Sequence, residues 1–444
     1  MIFAQTLRRT HGHLRFKYLI VLSLSVIIFL FFNKKYKNAF DFSLVDKLFS
    51  LAWVLLSYFI FDDQELLYAR TSIAKSSLQW LLSFNFVSSL IYFSFEFLIP
   101  KEKFSLPFSK NHLLKFGLAC LAIAAIIMPF VSPKPHIDVW VYAKLGADHV
   151  LSGESPYGKH YPDLYNGQFE LTNGFVYWPV HTILFSINKF FVSDVRWVLV
   201  LAHLLSLRLV YFFSRTLKYN DTQALMHSLL WAAFPVTFFV IENSWVDVMS
   251  ITLLIAHSMT LFKGRIKTAG LLLGLIVASK QYMVFFPIFG LIFVVKKFNW
   301  KMGITYTCYS LLSALLVFTP FLIWSFDEFI KDTFLDLMTL GARDDALSWV
   351  AYFIKYHGFT IPGKYTGILY IVSFIGLIIL SARQKIASLN TYHFSSIVMY
   401  SIVFLFGKQA FCNYYYMLSI VVLMFAMYFY SASNSSKTEE SVSV

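Results

Sequence analysis

The chain has 444 residues, 58% of them hydrophobic and only 14% charged, with Phe, Trp and Tyr together at 19%. A soluble domain is nearer half apolar and a quarter charged, so this composition excludes one and predicts an integral membrane protein. The net charge of +13 does not indicate a nucleic-acid binder: Lys and Arg fall mostly in short segments between apolar runs, which is the positive-inside pattern.

Runs of about 17–25 apolar residues meet the length needed to cross a bilayer. By that measure helices are expected near 18–32, 48–61, 78–99, 113–131, 197–213, 223–240, 246–262, 302–325, 365–381, 393–407 and 413–431. The N-terminal run resembles a signal peptide, but NKKYK follows it rather than a small-residue cleavage site, so it reads as an uncleaved first helix. The stretch 268–295 is too long for one ordinary span and is interrupted at Ser279-Lys280-Gln281. It reads as a hairpin of two short helices with Lys280 at the tip. Segment 180–192 begins after Pro179 and is short, which suits a juxtamembrane or re-entrant helix. The expectation is an all-α polytopic protein of about 11–13 transmembrane helices with a large polar loop at 132–178.

Basic residues cluster at Lys34–Lys47, Lys101–Lys110, Arg215–Lys218, Lys263–Lys267, Lys296–Lys301 and Arg383–Lys385. Putting these in the cytoplasm leaves Asp138, Asp148, Glu154, Asp163, Glu170, Glu242, Asp247, Asp344 and Asp345 on the opposite side. Helix parity then sets the basic N-terminus outside unless the 48–61 segment fails to cross. Cys120, Cys308 and Cys412 lie in or beside apolar segments without CxxC spacing, so they predict neither a disulfide framework nor a zinc site.

The 132–178 loop is the chief anomaly, because ionisable groups at a membrane surface are expensive and tend to be functional. Three further polar clusters share its expected side: VIENSWVD with Glu242 and Asp247, SKQY with Lys280, and the later pair LGARDDALSW and FGKQAFCNYYY with Arg343 and Lys408. A carboxylate can take a proton from an attacking hydroxyl, and cations can hold a departing phosphate. Each residue also has a bland reading. Asp138 can be merely solvated, Lys280 can snorkel to the interface, and Glu242 and Asp247 can cap helix ends. Arg343 with Asp344 and Asp345 can be a surface ion-pair cluster. Tyr157, Tyr177, Trp178 and Tyr414 can be belt aromatics, and His136, His149, His160 and His181 ordinary loop or interface residues.

The order HID after a transmembrane run, then GADHVLSGESPY, FVYWP and GLLLGLIVASKQYMVFFP, resembles the C-type glycosyltransferase superfamily. The nearest pattern is glycosyltransferase family 87, the polyprenol-phosphate-mannose-dependent type, over roughly residues 113–430. The resemblance implies that Asp138 is the general base and that Tyr157 and Tyr177 shape the cavity. It further implies that Lys280 stands near the donor phosphate, with Arg343 in a similar charge-assisted role. Asp247 and Lys408 join them as expected substrate-binding residues. Many superfamily members carry a second acid two positions before the base; here it is His136. One carboxylate and one His are a thin set for Mg²⁺ or Mn²⁺, so no cofactor is expected from the sequence, with a divalent metal as the open alternative.

The implied reaction moves a hexose, with mannose as best guess, from a polyprenyl-phosphate donor to a hydroxyl of a lipid-linked or envelope glycan acceptor. The expected setting is a bacterial-type plasma membrane, with the site on the non-cytoplasmic face. Residues 1–110 read as an N-terminal helical unit, 111–431 as the transferase domain and 432–444 as a disordered tail. A transporter or flippase would predict internal repeats with helices broken near the midplane. A polysaccharide polymerase would place its large loop later, with paired arginines. A non-catalytic scaffold would survive loss of Asp138 unchanged.

Overall fold

The computed structural model describes residues 2–35, 42–62, 66–69, 72–97, 109–167, 174–384 and 388–442. Among these the chain is helical throughout, and its one extended pairing is an isolated antiparallel bridge between His13 and Ala346. Six helices among the described residues are long and apolar enough to cross a membrane: Ile73–Phe97, Lys110–Val131, Trp197–Thr216, Trp300–Thr339, Gly363–Arg383 and Cys412–Ser431. Shorter apolar helices, including Asp247–Phe262 and Ile266–Val277, pack among them. The protein is an all-α polytopic membrane protein.

Where the expected spans break, the causes are local. The run 223–240 divides into Asp221–Ala232 and Thr237–Glu242, because Pro235 has no N–H to donate and biases Phe234 away from helix. The 268–295 stretch is the expected hairpin: Ile266–Val277, a 3₁₀ turn at Gln281–Phe285, then Phe286–Lys297. Lys280 is extended at the break, with φ −156° and ψ 143°. The carbonyl of Ala278 freed there accepts from Val180 N at 3.3 Å, at the start of the Pro179–Phe191 helix. The Trp300–Ile330 helix contains Pro320 and breaks at Ser325, then continues as a wide π turn over Lys331–Leu335. These interruptions end helices inside the bundle, where backbone and side-chain polar groups are left to face a cavity.

The segment 132–178 is more ordered than the expected loop. Asp138–Leu151 is a helix whose buried residues Tyr142, Ala143, Gly146 and Ala147 make one face, and Asp138 sits at its first turn, where a negative charge favours the helix dipole. A Cβ on Gly146 would come within 2.4 Å of the Phe175 ring, so glycine is what allows this close approach. Tyr142, Tyr157, Tyr161 and Phe175 form an aromatic core with Phe321 and Phe329 of the kinked helix. Glu170 lies outside the described residues.

The N-terminal helices Ile2–Thr10, Phe16–Lys35, Phe42–Asp62 and Ser72–Phe97 belong to the main apolar core. Trp53 Nε1 donates to Asn85 Oδ1 at 3.2 Å, and Asn85 Nδ2 to Ser57 Oγ at 2.9 Å. Such interhelical polar stitches are typical of membrane bundles. The last helix runs Cys412–Val442, so it continues into the segment read as a tail, whose final two residues lie outside the described set.

Candidate functional site

Asp138 is half-buried at the start of its helix. Its Oδ1 accepts from Val139 N at 2.9 Å and from the Tyr165 hydroxyl at 3.2 Å. Burial pushes the carboxyl above the ordinary range, while these two hydrogen bonds and the Arg343 charge pull it partly back. A carboxylate raised in this way is a stronger proton acceptor than one in water.

Asp247, wholly buried at the first turn of the Asp247–Phe262 helix, is the hub of a second cluster. Lys280 Nζ donates to Oδ1 at 2.8 Å and to Oδ2 at 2.9 Å. Asn413 Nδ2 donates to Oδ2 at 2.8 Å, and the Tyr282 hydroxyl donates to Oδ1. The Lys280 ammonium also lies 4.7 Å from the Tyr414 ring centre and 5.0 Å from that of Tyr282, in cation–π range. Asp247 is therefore occupied in holding Lys280. Lys280 is the partner that reaches the edge of solvent, with 14% of its side chain exposed.

Arg343 grips Asp345 in a two-point ion pair, Nε to Oδ1 at 2.8 Å and Nη2 to Oδ2 at 2.6 Å, and its guanidinium stacks 4.8 Å from the Phe411 ring centre. His13 Nδ1 stands 3.5 Å from Asp345 Oδ2, and Leu14 N donates to the Asp345 carbonyl at 2.7 Å. Burial alone would raise the Asp345 carboxyl; His13 and Arg343 together hold it well below the ordinary range. The N-terminal segment thus packs beside Arg343 at the end of the bundle that carries Asp345. Glu242 is also fully buried. It accepts from Leu67 N (2.9 Å), Tyr68 N (3.0 Å) and Ser132 Oγ (2.5 Å), fastening the 66–69 turn beside the same space.

That space is a cavity of about 420 Å³, lined by Asp138, Tyr177, Asp247, Lys280 and Arg343 among others. Five of the seven site residues read from the sequence therefore meet in one place. Tyr157 and Lys408 do not join them. Tyr157 fills the aromatic core behind the wall, where its hydroxyl donates to the Tyr177 carbonyl at 2.8 Å. It supports Tyr177 rather than facing the cavity. The Lys408 ammonium donates to the carbonyls of Leu337 (2.6 Å), Met338 (3.2 Å) and Leu340 (2.8 Å). These groups have lost their helical partners at the end of the kinked helix, and the lysine closes that end.

Sequence reasoning passed over His13, Tyr68 and Tyr165, which also line the cavity. It treated Trp178 and His181 as belt or interface residues. Trp178 Nε1, His181 Nδ1 and Asn243 Oδ1 are buried without a hydrogen-bond partner among the described residues, and all three side chains belong to the lining. Buried polar atoms are seldom left unpaired, and those that are often mark a working site. Their mixture of donor and acceptor suits a hydroxyl-rich ligand.

His136 Nε2 pairs with the Leu164 carbonyl at 3.2 Å, so it does not join Asp138. Among the described residues no three His, Cys, Asp or Glu side chains converge.

The family model of glycosyltransferase family 87 matches residues 175–412, more than half of the chain. The chain belongs to glycosyltransferase family 87. No curated protein sequence matches it. It is a membrane glycosyltransferase, and its substrates are a sugar donor and an acceptor. The match takes in the Asp247–Lys280 pair and Arg343 and stops short of Asp138, which the fold nevertheless brings to the same cavity.

Proposed function

We propose that the protein transfers a hexose, mannose as the first candidate, from a polyprenyl-phosphate donor to a hydroxyl of a glycolipid or glycan acceptor at the non-cytoplasmic face of a plasma membrane. Asp138 is the general base. As the acceptor oxygen attacks the anomeric carbon, its proton passes to the Asp138 carboxylate. The bond from that carbon to the phosphate oxygen breaks, and polyprenyl phosphate leaves with the electron pair. Lys280, with Arg343, offsets the charge on the departing phosphate. One phosphate carries little enough charge for side-chain cations to manage, and the polyprenyl tail stays in lipid throughout.

The observation that carries this reading is that Asp138, desolvated and partly engaged, and a cationic site built on Lys280 line one cavity. A base and a phosphate-binding cation facing one space are what a single displacement requires. The test is reconstitution of purified protein with a panel of polyprenyl-phosphate hexoses and a mixed glycolipid acceptor pool. Transfer from at least one donor is expected; no transfer from any of them would refute the reading.

A further inference from the structure

The family match begins at residue 175, yet part of the cavity wall comes from ahead of it, above all Tyr68 in the 66–69 turn and Tyr165 in the loop after the Asp138 helix. Both phenols are half-buried. The Tyr165 hydroxyl rests on Asp138 Oδ1 at 3.2 Å. Burial first, and then the charges of Glu242 and Asp138, push the Tyr68 phenol up, so its ring shares the field of the same carboxylate. The backbone of Tyr68 is not free to wander. Glu242, inside the matched region, accepts from Leu67 N and Tyr68 N and is itself wholly buried. A buried carboxylate is expensive in an apolar bundle unless its oxygens are fully hydrogen-bonded. The bonds that Glu242 accepts from Leu67 N and Tyr68 N, with a third from Ser132 Oγ, tie the turn that carries Tyr68 to the bundle.

The Tyr165 phenol touches Asp138 and the Tyr68 phenol lies in its field, so two aromatic faces with polar tips stand near the carboxylate. A pyranose ring presents C–H groups on its faces and hydroxyls at its rim, which matches such surroundings.

We propose that Tyr68 and Tyr165 wall the acceptor subsite, taking the hexopyranose ring of a neutral glycoside with one hydroxyl turned to Asp138, and that Glu242 is the positioning residue that sets Tyr68. This rests on the reading of Asp138 as the base that receives the acceptor proton. It also gives the turn at 66–69, within the N-terminal unit, a part in choosing the acceptor.

The test is calorimetric titration of octyl hexopyranosides of gluco, manno and galacto configuration into the full chain in lipid nanodiscs. At least one glycoside binds the wild type. Tyr68→Ala weakens that binding about tenfold, the scale of one lost aromatic contact, whereas Tyr68→Phe retains it. Glu242→Gln weakens it without touching the ligand. Wild-type protein that binds none of the glycosides, or Tyr68→Ala protein of unaltered thermal midpoint that binds them equally well, overturns the proposal. Transfer from polyprenyl-phosphate hexoses is scored separately on the same samples. Glycoside binding without any transfer refutes the functional reading and leaves the subsite standing.

Discussion

Asp138 works through its environment. Its carboxyl is raised chiefly by burial, and the Tyr165 hydroxyl opposes that rise by donating to the charged form. As the proposed base, Asp138 must be ionised to act, so the rate is expected to fall as pH drops through its folded-state value. Because that value lies above the ordinary carboxylate range, the acid limb of kcat/KM is expected at higher pH than an exposed Asp would give. Tyr165→Phe removes a stabiliser of the anion and shifts the limb further upward; a pH–rate profile of the two proteins reads this directly. Asp247 acts differently. Asp247→Ala leaves Lys280 as an unpaired cation in a largely buried position, a loss of about 3 kcal/mol or more. It is expected to lower the thermal midpoint in detergent, while Lys280→Met with Asp247→Asn, which removes both charges, recovers most of it. Asp138 and Lys280 stood out in the sequence because each interrupts or borders an apolar run. Tyr157 and Lys408 stood out by residue type, which says nothing of direction. A Tyr in a turn motif can fill a core, and a Lys beside a helix end can satisfy its carbonyls, as these two do.

Among the elements, the broken helices matter most. The Trp300–Ile330 helix gives way at Ser325, and the following turn delivers Asp332, almost fully buried, to the 132–178 segment. Asp332 Oδ2 accepts from Gly158 N at 2.9 Å and Phe175 N at 3.1 Å, and a Cβ on Gly174 would lie 2.6 Å from Oδ1. Asp332→Ala strands both N–H groups at about 1–3 kcal/mol each. Faster amide hydrogen exchange at Gly158 and Phe175 is the expected result, with little change in the Leu389–Leu405 helix. The hairpin at Lys280 was readable from the length and interruption of one apolar run. The helix inside 132–178 was not, since its face alternates short apolar and aromatic residues that also suit a loop near the interface. Nor was the break at Ser325, which lies five residues beyond Pro320 inside one continuous apolar run.

At the scale of the whole molecule, the cavity is assembled from segments far apart in sequence. His13 meets Asp345, and Tyr68 is held by Glu242 across 174 residues. No periodicity or spacing encodes such contacts, so the sequence does not show that the N-terminal unit borders the site. The all-α membrane architecture was legible from composition and run length, because the bilayer permits few alternatives. The tie through Asp345 depends on its anion. With the folded-state value held below the ordinary one, its contribution is fully present above about pH 4 and is lost as pH falls through the folded-state value. Asp345→Asn removes it at neutral pH. Faster exchange across His11–Leu14 is expected, together with reduced transfer.

The most direct test of the account is the single-turnover rate of sugar transfer in proteoliposomes loaded with a polyprenyl-phosphate hexose that the wild type accepts. Asp138→Asn is isosteric and keeps the cavity's shape but cannot accept the proton. It is predicted to lower the rate by about 10²–10⁴-fold with donor affinity unchanged. An Asp138→Asn enzyme that turns over at the wild-type rate would contradict the assignment of the base, and with it the mechanism built on this cavity.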